Sequence, residues 1–148
     1  MEKEHRHLGA YGILIKDNKI LLIKKNGGPY DGRLDLPGGS IEFNEKPKDA
    51  LVREFLEEVG IKVTEYELYD ANSASPIWHY QNTLINVHHI GIFYKILNYE
   101  NEIKKDIQID EVNDDSLGAE FYDISKLKKT DLSDIAILEL EKLGYTIN

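Results

Sequence analysis

Residues 47–59 gather Arg53, Glu54, Glu57 and Glu58 into one short stretch. Wound as a helix at about 100° per residue, the stretch puts Val52, Phe55, Leu56 and Val59 on one apolar stripe. The three acids then fall on the opposite side with Arg53 beside them, as on any amphipathic surface helix. Their arrangement, however, works against the helix. Glu54 and Glu58 are like charges four apart with Glu57 between them, and on that face only Arg53 is near enough in sequence to compensate. They also occupy the later turns, where the helix dipole disfavours an anion by several tenths of a kcal/mol. Repelling carboxylates in unfavourable positions point to a cation that completes the site. Oxygen ligands with no His or Cys among them suit Mg²⁺, with Mn²⁺ as a substitute, rather than zinc.

The flanking segments must position that helix. Residues 8–15 and 19–25 are apolar, β-prone runs joined by Lys16-Asp17-Asn18, which predicts a hairpin. Residues 26–32 are dense in Gly, Pro, Asn and Asp and form a loop. Short strands are expected at 34–36 and 40–42, on either side of Pro37-Gly38-Gly39. Pro47 suits a first helical turn, Asn44 is a candidate cap, and Gly60 suits the helix end. Strands follow at 61–69 and 84–97, separated by a loop holding Pro76, Trp78 and His79. The segment from Glu100 is loop-like, residues 118–124 return to strand, and 132–143 form a second helix. With no repeat, low-complexity segment or linker, residues 1–148 read as a single domain of α+β class, a sheet packed against helices.

Composition limits what such a domain does. The 148 residues carry a formal charge of −9, and two segments account for most of it. Residues 42–58 hold six acidic and three basic side chains, and residues 100–123 hold nine and two. A net-negative chain is a poor binder of long nucleic acid through phosphates, unless a bound cation reverses the local sign. No apolar run approaches the ~20 residues of a membrane span. The first residues lack the apolar core of a signal peptide and there is no cysteine, so a cytoplasmic protein is expected.

Gly39, Glu45, Arg53-Glu54-Phe55-Leu56-Glu57-Glu58-Val59-Gly60 and Ile61 stand at the spacing of the Nudix box, and residues 39–61 resemble the complete motif. At average residue usage a chance match is on the order of one in ten million. The preceding Leu36-Pro37-Gly38 and the late strand near Phe121-Tyr122 are also similar to the Nudix (MutT-like) hydrolase family. The resemblance implies an α/β/α sandwich with a mixed sheet between helices. It also implies Mg²⁺-dependent hydrolysis of a nucleoside diphosphate linked to another moiety: ADP-ribose, a nucleotide sugar or an oxidised (d)NTP. Carried over to this chain, Glu54, Glu57 and Glu58 are metal-binding carboxylates, unless one of them (in many members the one at Glu54) activates water instead. The Gly38 carbonyl is a further ligand, and Glu45 pairs with Arg53 to hold the loop against the helix. A homodimer is common among such proteins. The rival reading is a nucleotide-sensing domain of the same family that binds without turnover, and the intact acids weigh against it.

For the substrate, Pro76 stands at a spacing similar to that of an ADP-ribose-hydrolysing subgroup, though ordinary turn formation also explains a loop proline. Trp78, Tyr80 and Tyr30 are loop aromatics suited to stacking on a base or ribose. Alternation sends His88 and His89 to opposite faces of one strand, with a hydrogen-bonded structural histidine the plainer role. Glu111, Asp114 and Asp115 are candidates for an extra acid before the final strand.

Overall fold

The computed structural model describes residues 2–103 and 116–148. The described elements run β1 (Glu2–Ile13), β2 (Ile15–Lys16), β3 (Lys19–Lys25), β4 (Leu34–Asp35), β5 (Gly38–Ser40) and α1 (Pro47–Glu58). They continue with β6 (Lys62–Ala74), β7 (Ile77–Tyr80), β8 (Thr83–Glu100), β9 (Ser116–Asp123) and α2 (Asp134–Lys142). One sheet has the order β5-β1-β8-β6, with β7 also on β8; the other has β2-β3-β4, with β9 on β3. β1 and β8 pair in parallel from Glu2↔Leu84 to Ile13↔Lys95, while their other neighbours are antiparallel. The first sheet is mixed, the second is antiparallel, and the class is the α+β sandwich that the sequence suggests.

Alternation along the strands feeds two cores. Ala10, Leu21, Ile23, Tyr94 and Ile96 face Leu51 and Phe55 of α1. Tyr11, Ile20, Leu22 and Phe93 face Ile135 and Leu140 of α2. β3 is buried on both faces, which is why residues 20–23 are apolar without interruption.

Four local expectations are corrected. The turn at Asp17-Asn18 has the positive φ values, 50° and 61°, of a tight two-residue hairpin. It joins β3 only to Ile15–Lys16, because the chain leaves the ladder at Leu14 and β1 enters the other sheet. Asn44 does not cap α1: it takes a left-handed turn position at φ 66°, and Lys46 is the N-cap, without a side-chain hydrogen bond. Trp78, His79 and Tyr80 lie on β7 rather than in a loop, paired to β8 from Ile77↔Asn86 to Tyr80↔Thr83. Finally, α1 is rotated from the expected stripe. Ala50, Leu51, Phe55, Glu58 and Val59 face inward while Leu56 is 52% exposed.

Where α2 meets β6, two carboxylates are buried together. Glu139 is 1% exposed. Neither of its oxygens, nor Asp70 Oδ2, receives a hydrogen bond from a donor among the described residues. Lys142 Nζ binds the other Asp70 oxygen at 2.6 Å. One proton shared by the two carboxyls accounts for this geometry. Burial, with Asp70 as hydrogen-bond partner and neighbouring charge, pushes Glu139 up to about 8. Burial also works to raise Asp70, but hydrogen bonds from Lys142 and Glu139 outweigh it and hold Asp70 below its usual range.

The folded chain therefore keeps a proton that the unfolded chain releases. The Glu139 contribution to stability is fully present below about pH 4.5 and is lost as pH rises towards about 8. Thermal melts of wild type and Glu139→Gln across that range should diverge by the equivalent of a few kcal/mol, with the variant's profile flatter. Parallel profiles would show that the pair shares no proton.

Candidate active site

The acidic face of α1 is organised by Arg53. Its Nε and one terminal nitrogen bind the two oxygens of Glu45, each at 2.9 Å. That second nitrogen also donates to the Ser40 carbonyl at 3.0 Å, tying the helix to the end of β5. The other terminal nitrogen reaches Glu54 Oε1 at 2.9 Å and Glu57 Oε2 at 3.4 Å. The hydrogen bonds from Arg53, more than anything else, hold the Glu45 carboxyl down to about 2. In turn, hydrogen bonding to Glu45 raises the Arg53 guanidinium against the cost of its partial burial. A second turn supports the loop: Glu42 N–H donates to Glu45 Oε1 at 3.0 Å. Phe43, between them, is 96% exposed.

The rotation of α1 separates the acids. Relative to Leu51 at the centre of the inward face, Glu58 lies about 20° away, Glu54 about 60° and Glu57 about 120°. Glu58 accordingly sinks under β5 at 7% exposure, where the Gly38 N–H donates to Oε2 at 3.5 Å. Glu54 lies against Gly39 so closely that a Cβ there would sit 2.7 Å from its carboxyl carbon. Gly38 has φ 142°, and a Cβ there would collide with the Ala10 carbonyl oxygen. Gly38 is thus sterically required, whereas a side chain at Gly39 would displace the Glu54 carboxylate. Glu57 points to solvent, with a side chain 59% exposed.

Glu45, Arg53, Glu54 and Glu57 therefore form one connected cluster, with Glu58 and the Gly38 backbone just beneath it. Among the described residues no three His, Cys, Asp or Glu side chains stand together as a ready ligand set, since Glu54 and Glu57 are drawn to Arg53. The donor chemistry nevertheless suits a hard divalent cation: carboxylate oxygens from one helix face beside a glycine backbone that approaches without obstruction.

On the other side of β1 lies a small cavity of about 150 Å³ beneath the glycine-rich loop 26–32. His7, Tyr11, Lys25, Tyr30, Asp35 and His89 line it. His89 is 2% exposed, with Tyr11 Oη 2.6 Å from Nε2 and Tyr30 Oη 2.9 Å from Nδ1. His7 stacks on it at 4.8 Å between ring centres, the planes 9° apart. Burial, then the positive potential of His7 and Lys25, pushes His89 down to about 3, so it is neutral. His7 Nε2 is 2.8 Å from Ser40 Oγ, and the Ser40 carbonyl accepts from Arg53, so the cavity and the acidic face share a residue. Asp35 is also buried, its Oδ1 accepting from Ser133 Oγ at 2.6 Å and the Leu36 N–H at 2.8 Å.

Of the aromatic candidates, Tyr30 lines this cavity, whereas Trp78 and Tyr80 pack on each other at 4.9 Å along β7. Pro76 sits between β6 and β7, where its carbonyl accepts from Val87 N–H at 3.0 Å. His89, not His88, is the strand histidine turned to the cavity. Glu111, Asp114 and Asp115 lie outside the described residues. Sequence reasoning did not identify His7, Tyr11, Lys25 or Asp35. For His7 and Tyr11 the signal lay in a parallel register that matches His7 with His89 and Tyr11 with Phe93.

Comparison with known proteins identifies the family. The NUDIX domain profile matches residues 5–139. The chain is 34% identical over 128 residues to an ADP-ribose pyrophosphatase from Methanocaldococcus jannaschii, covering 84% of this chain and 66% of that protein. It is 38% identical over 71 residues to an 8-oxo-dGTP diphosphatase from Proteus vulgaris, covering 47% and 63% respectively. The chain thus spans about two thirds or less of the length of these relatives. Among solved structures, a MutT NUDIX hydrolase from Burkholderia pseudomallei superimposes with a TM-score of 0.74 at 23% identity. That superposition covers 95% of this chain and 99% of the other, and shows the fold alone. No helix among the described residues is long and apolar enough to cross a membrane. From the profile match across most of its length, the chain belongs to the NUDIX domain family.

Proposed function

We propose that the chain is a Mg²⁺-dependent pyrophosphohydrolase acting on a nucleoside diphosphate linked to a second moiety, with ADP-ribose the first substrate to test. The observation that carries this reading is the Arg53 hub, which gathers Glu45, Glu54 and Glu57 at the end of β5 with Glu58 beneath. ADP-ribose is favoured over an oxidised (d)NTP because the relative named for it matches over 84% of this chain, against 47% for the diphosphatase. A nucleotide sugar presents the same diphosphate between two ring systems.

In this reading Glu54, Glu57, Glu58 and the Gly38 carbonyl hold the cation. Bound Mg²⁺ supplies neutralisation of the bridging phosphates, which an acidic face cannot provide by itself. Arg53 and Glu45 are positioning residues, fixing the helix against the loop and β5. One of Glu54, Glu57 and Glu58 acts instead as the base that takes the proton of the attacking water while the water oxygen bonds to phosphorus. The bridging P–O bond then breaks, and the leaving phosphate is protonated by solvent.

Hydrolysis assays that separate the phosphomonoester, pyrophosphate and phosphate products by chromatography, run on ADP-ribose, nucleotide sugars, dinucleoside polyphosphates and normal or oxidised (d)NTPs, test the reading directly. Turnover of at least one substrate is expected, abolished by EDTA and reduced by orders of magnitude in Glu57→Gln. Unchanged activity in that variant would remove the metal assignment. Tight nucleotide binding without turnover would instead favour the sensor.

Arg53→Lys separates charge from geometry, because an ammonium cannot form the paired bonds to Glu45. The expected loss in kcat/KM is about ten- to a hundredfold, the scale of one or two charge-assisted hydrogen bonds. A change within about twofold would show that the two-pronged grip is dispensable.

A further inference from the structure

β1 runs well past everything that packs beside it. Its pairing to β8 begins at Glu2↔Leu84, whereas β5 covers its other edge only from Gly9↔Ser40 to Tyr11↔Gly38. Neither hydrophobic core includes a residue of β1 before Ala10, and Glu2 to Arg6 are exposed. Among the described residues no strand pairs with β1 on the β5 side before Gly9. The hydrogen-bonding direction of this open edge is fixed by the bonds at its inner end. The Leu8 carbonyl accepts from Ile41 N–H at 3.1 Å, and Gly12 N–H donates to the Pro37 carbonyl at 3.0 Å. Even-numbered residues of β1 thus turn their peptide groups towards β5, and the β1–β8 register reaches Glu2 without a shift. By alternation, the N–H and C=O groups of Glu4 and Arg6 face outward beyond the end of β5.

We propose that this edge pairs antiparallel with the same edge of a second copy of the chain, about a two-fold axis at His5. The proposal is independent of the reading of the acidic face. A two-fold axis normal to a continuous sheet places residues of like parity opposite one another, and the charges then select the register. Centring on Lys3 sets Glu2 against Glu4, centring on Glu4 sets that acid against itself, and centring on Arg6 sets two guanidiniums together. Centred on His5, Glu4 lies opposite Arg6 of the second copy and Arg6 lies opposite its Glu4. Each pair exchanges two main-chain hydrogen bonds and sets opposite charges side by side.

The edge is built to pair rather than to repel. A protected edge carries a proline, a bulge or a single sign of charge. Glu2 to His7 contains no proline, is free of register shifts, and has Glu4 and Arg6 two positions apart on one face. A strand with opposite charges so spaced is complementary to its own reverse. Pairing joins β7-β8-β1 to the β1-β8-β7 of the second copy and supports an arm that neither core reaches.

The chain has no cysteine, so one introduced thiol reads the register. Residues facing each other at a non-hydrogen-bonded site have Cα atoms about 4.5 Å apart, within disulfide reach. Lys3 would lie four residues, about 13 Å, from Lys3 of the second copy. Mild oxidation should therefore convert His5→Cys, but not Lys3→Cys, to a covalent dimer on a non-reducing gel. A single strand pair is a small interface, so light scattering on the wild type should show a dimer that dissociates on dilution between about 1 mM and 1 μM. Arg6→Glu should weaken that dimer at least about tenfold by replacing two attractive pairs with two repulsive ones. The exchange Glu4→Arg with Arg6→Glu should restore it to within about threefold, since the pairs are then remade with their signs reversed. Thermal melts confirm the fold of each variant. A wild type monomeric across that range, a dimer untouched by Arg6→Glu, a double variant as weak as the single one, or equal cross-linking through positions 3 and 5 would each overturn the proposal.

Discussion

The Arg53 guanidinium grips Glu45 through two bonds of 2.9 Å and turns its remaining donors to Ser40, Glu54 and Glu57. Remove it, and Glu54 and Glu57 on α1 and Glu45 in the loop before it lose the charge they share, while that loop loses its tie to β5. A planar fork meets this demand better than a point charge, since it can bind one carboxylate in parallel and still reach two others. The clustering of acids late in a helix, costly in isolation, is held in this way.

The surrounding fold serves that constraint by bringing backbone very close. β5 is three residues long and two of them are glycines, the first with no room for a side chain against Ala10 and the second pressed on the Glu54 carboxylate. β1 lies beside β5, with one face towards α1 and the other towards the cavity around His89. A ligand that crosses the edge at Ser40 meets neutral aromatic groups on one side and carboxylates on the other. The acid pair of Asp70 and Glu139 belongs to neither region. It holds α2 on β6, and its pH dependence can be read separately from catalysis.

Much of this was legible from residue types. The order of the main strands and helices, the loop at 26–32 and the end of α1 before Gly60 follow from periodicity and turn residues, and the pairing of Glu45 with Arg53 was implied by the family resemblance. The rotation of α1 was not legible. Val52 and Leu56 look as apolar as Leu51 and Phe55, and only the sheet packed against the helix decides which pair turns inward and that Glu58 goes with it. The cavity was harder still. Tyr11 and His89 are 78 positions apart and Tyr30 and His89 are 59 apart. Their meeting depends on a parallel β1–β8 register that no local pattern encodes. Trp78 and Tyr80 were misplaced for a related reason: a short edge strand beside a proline turn reads locally as loop.

The formal charge of −9 is consistent with a protein that handles polyanions only if part of it is neutralised at α1. Anomalous diffraction from a crystal soaked in Mn²⁺ tests that claim most directly. The account predicts a manganese peak bound by oxygens of Glu54, Glu57 and Glu58 beside Gly38, with Glu57 released from Arg53 while Arg53 keeps both bonds to Glu45. A peak held elsewhere, or none on α1, would contradict it.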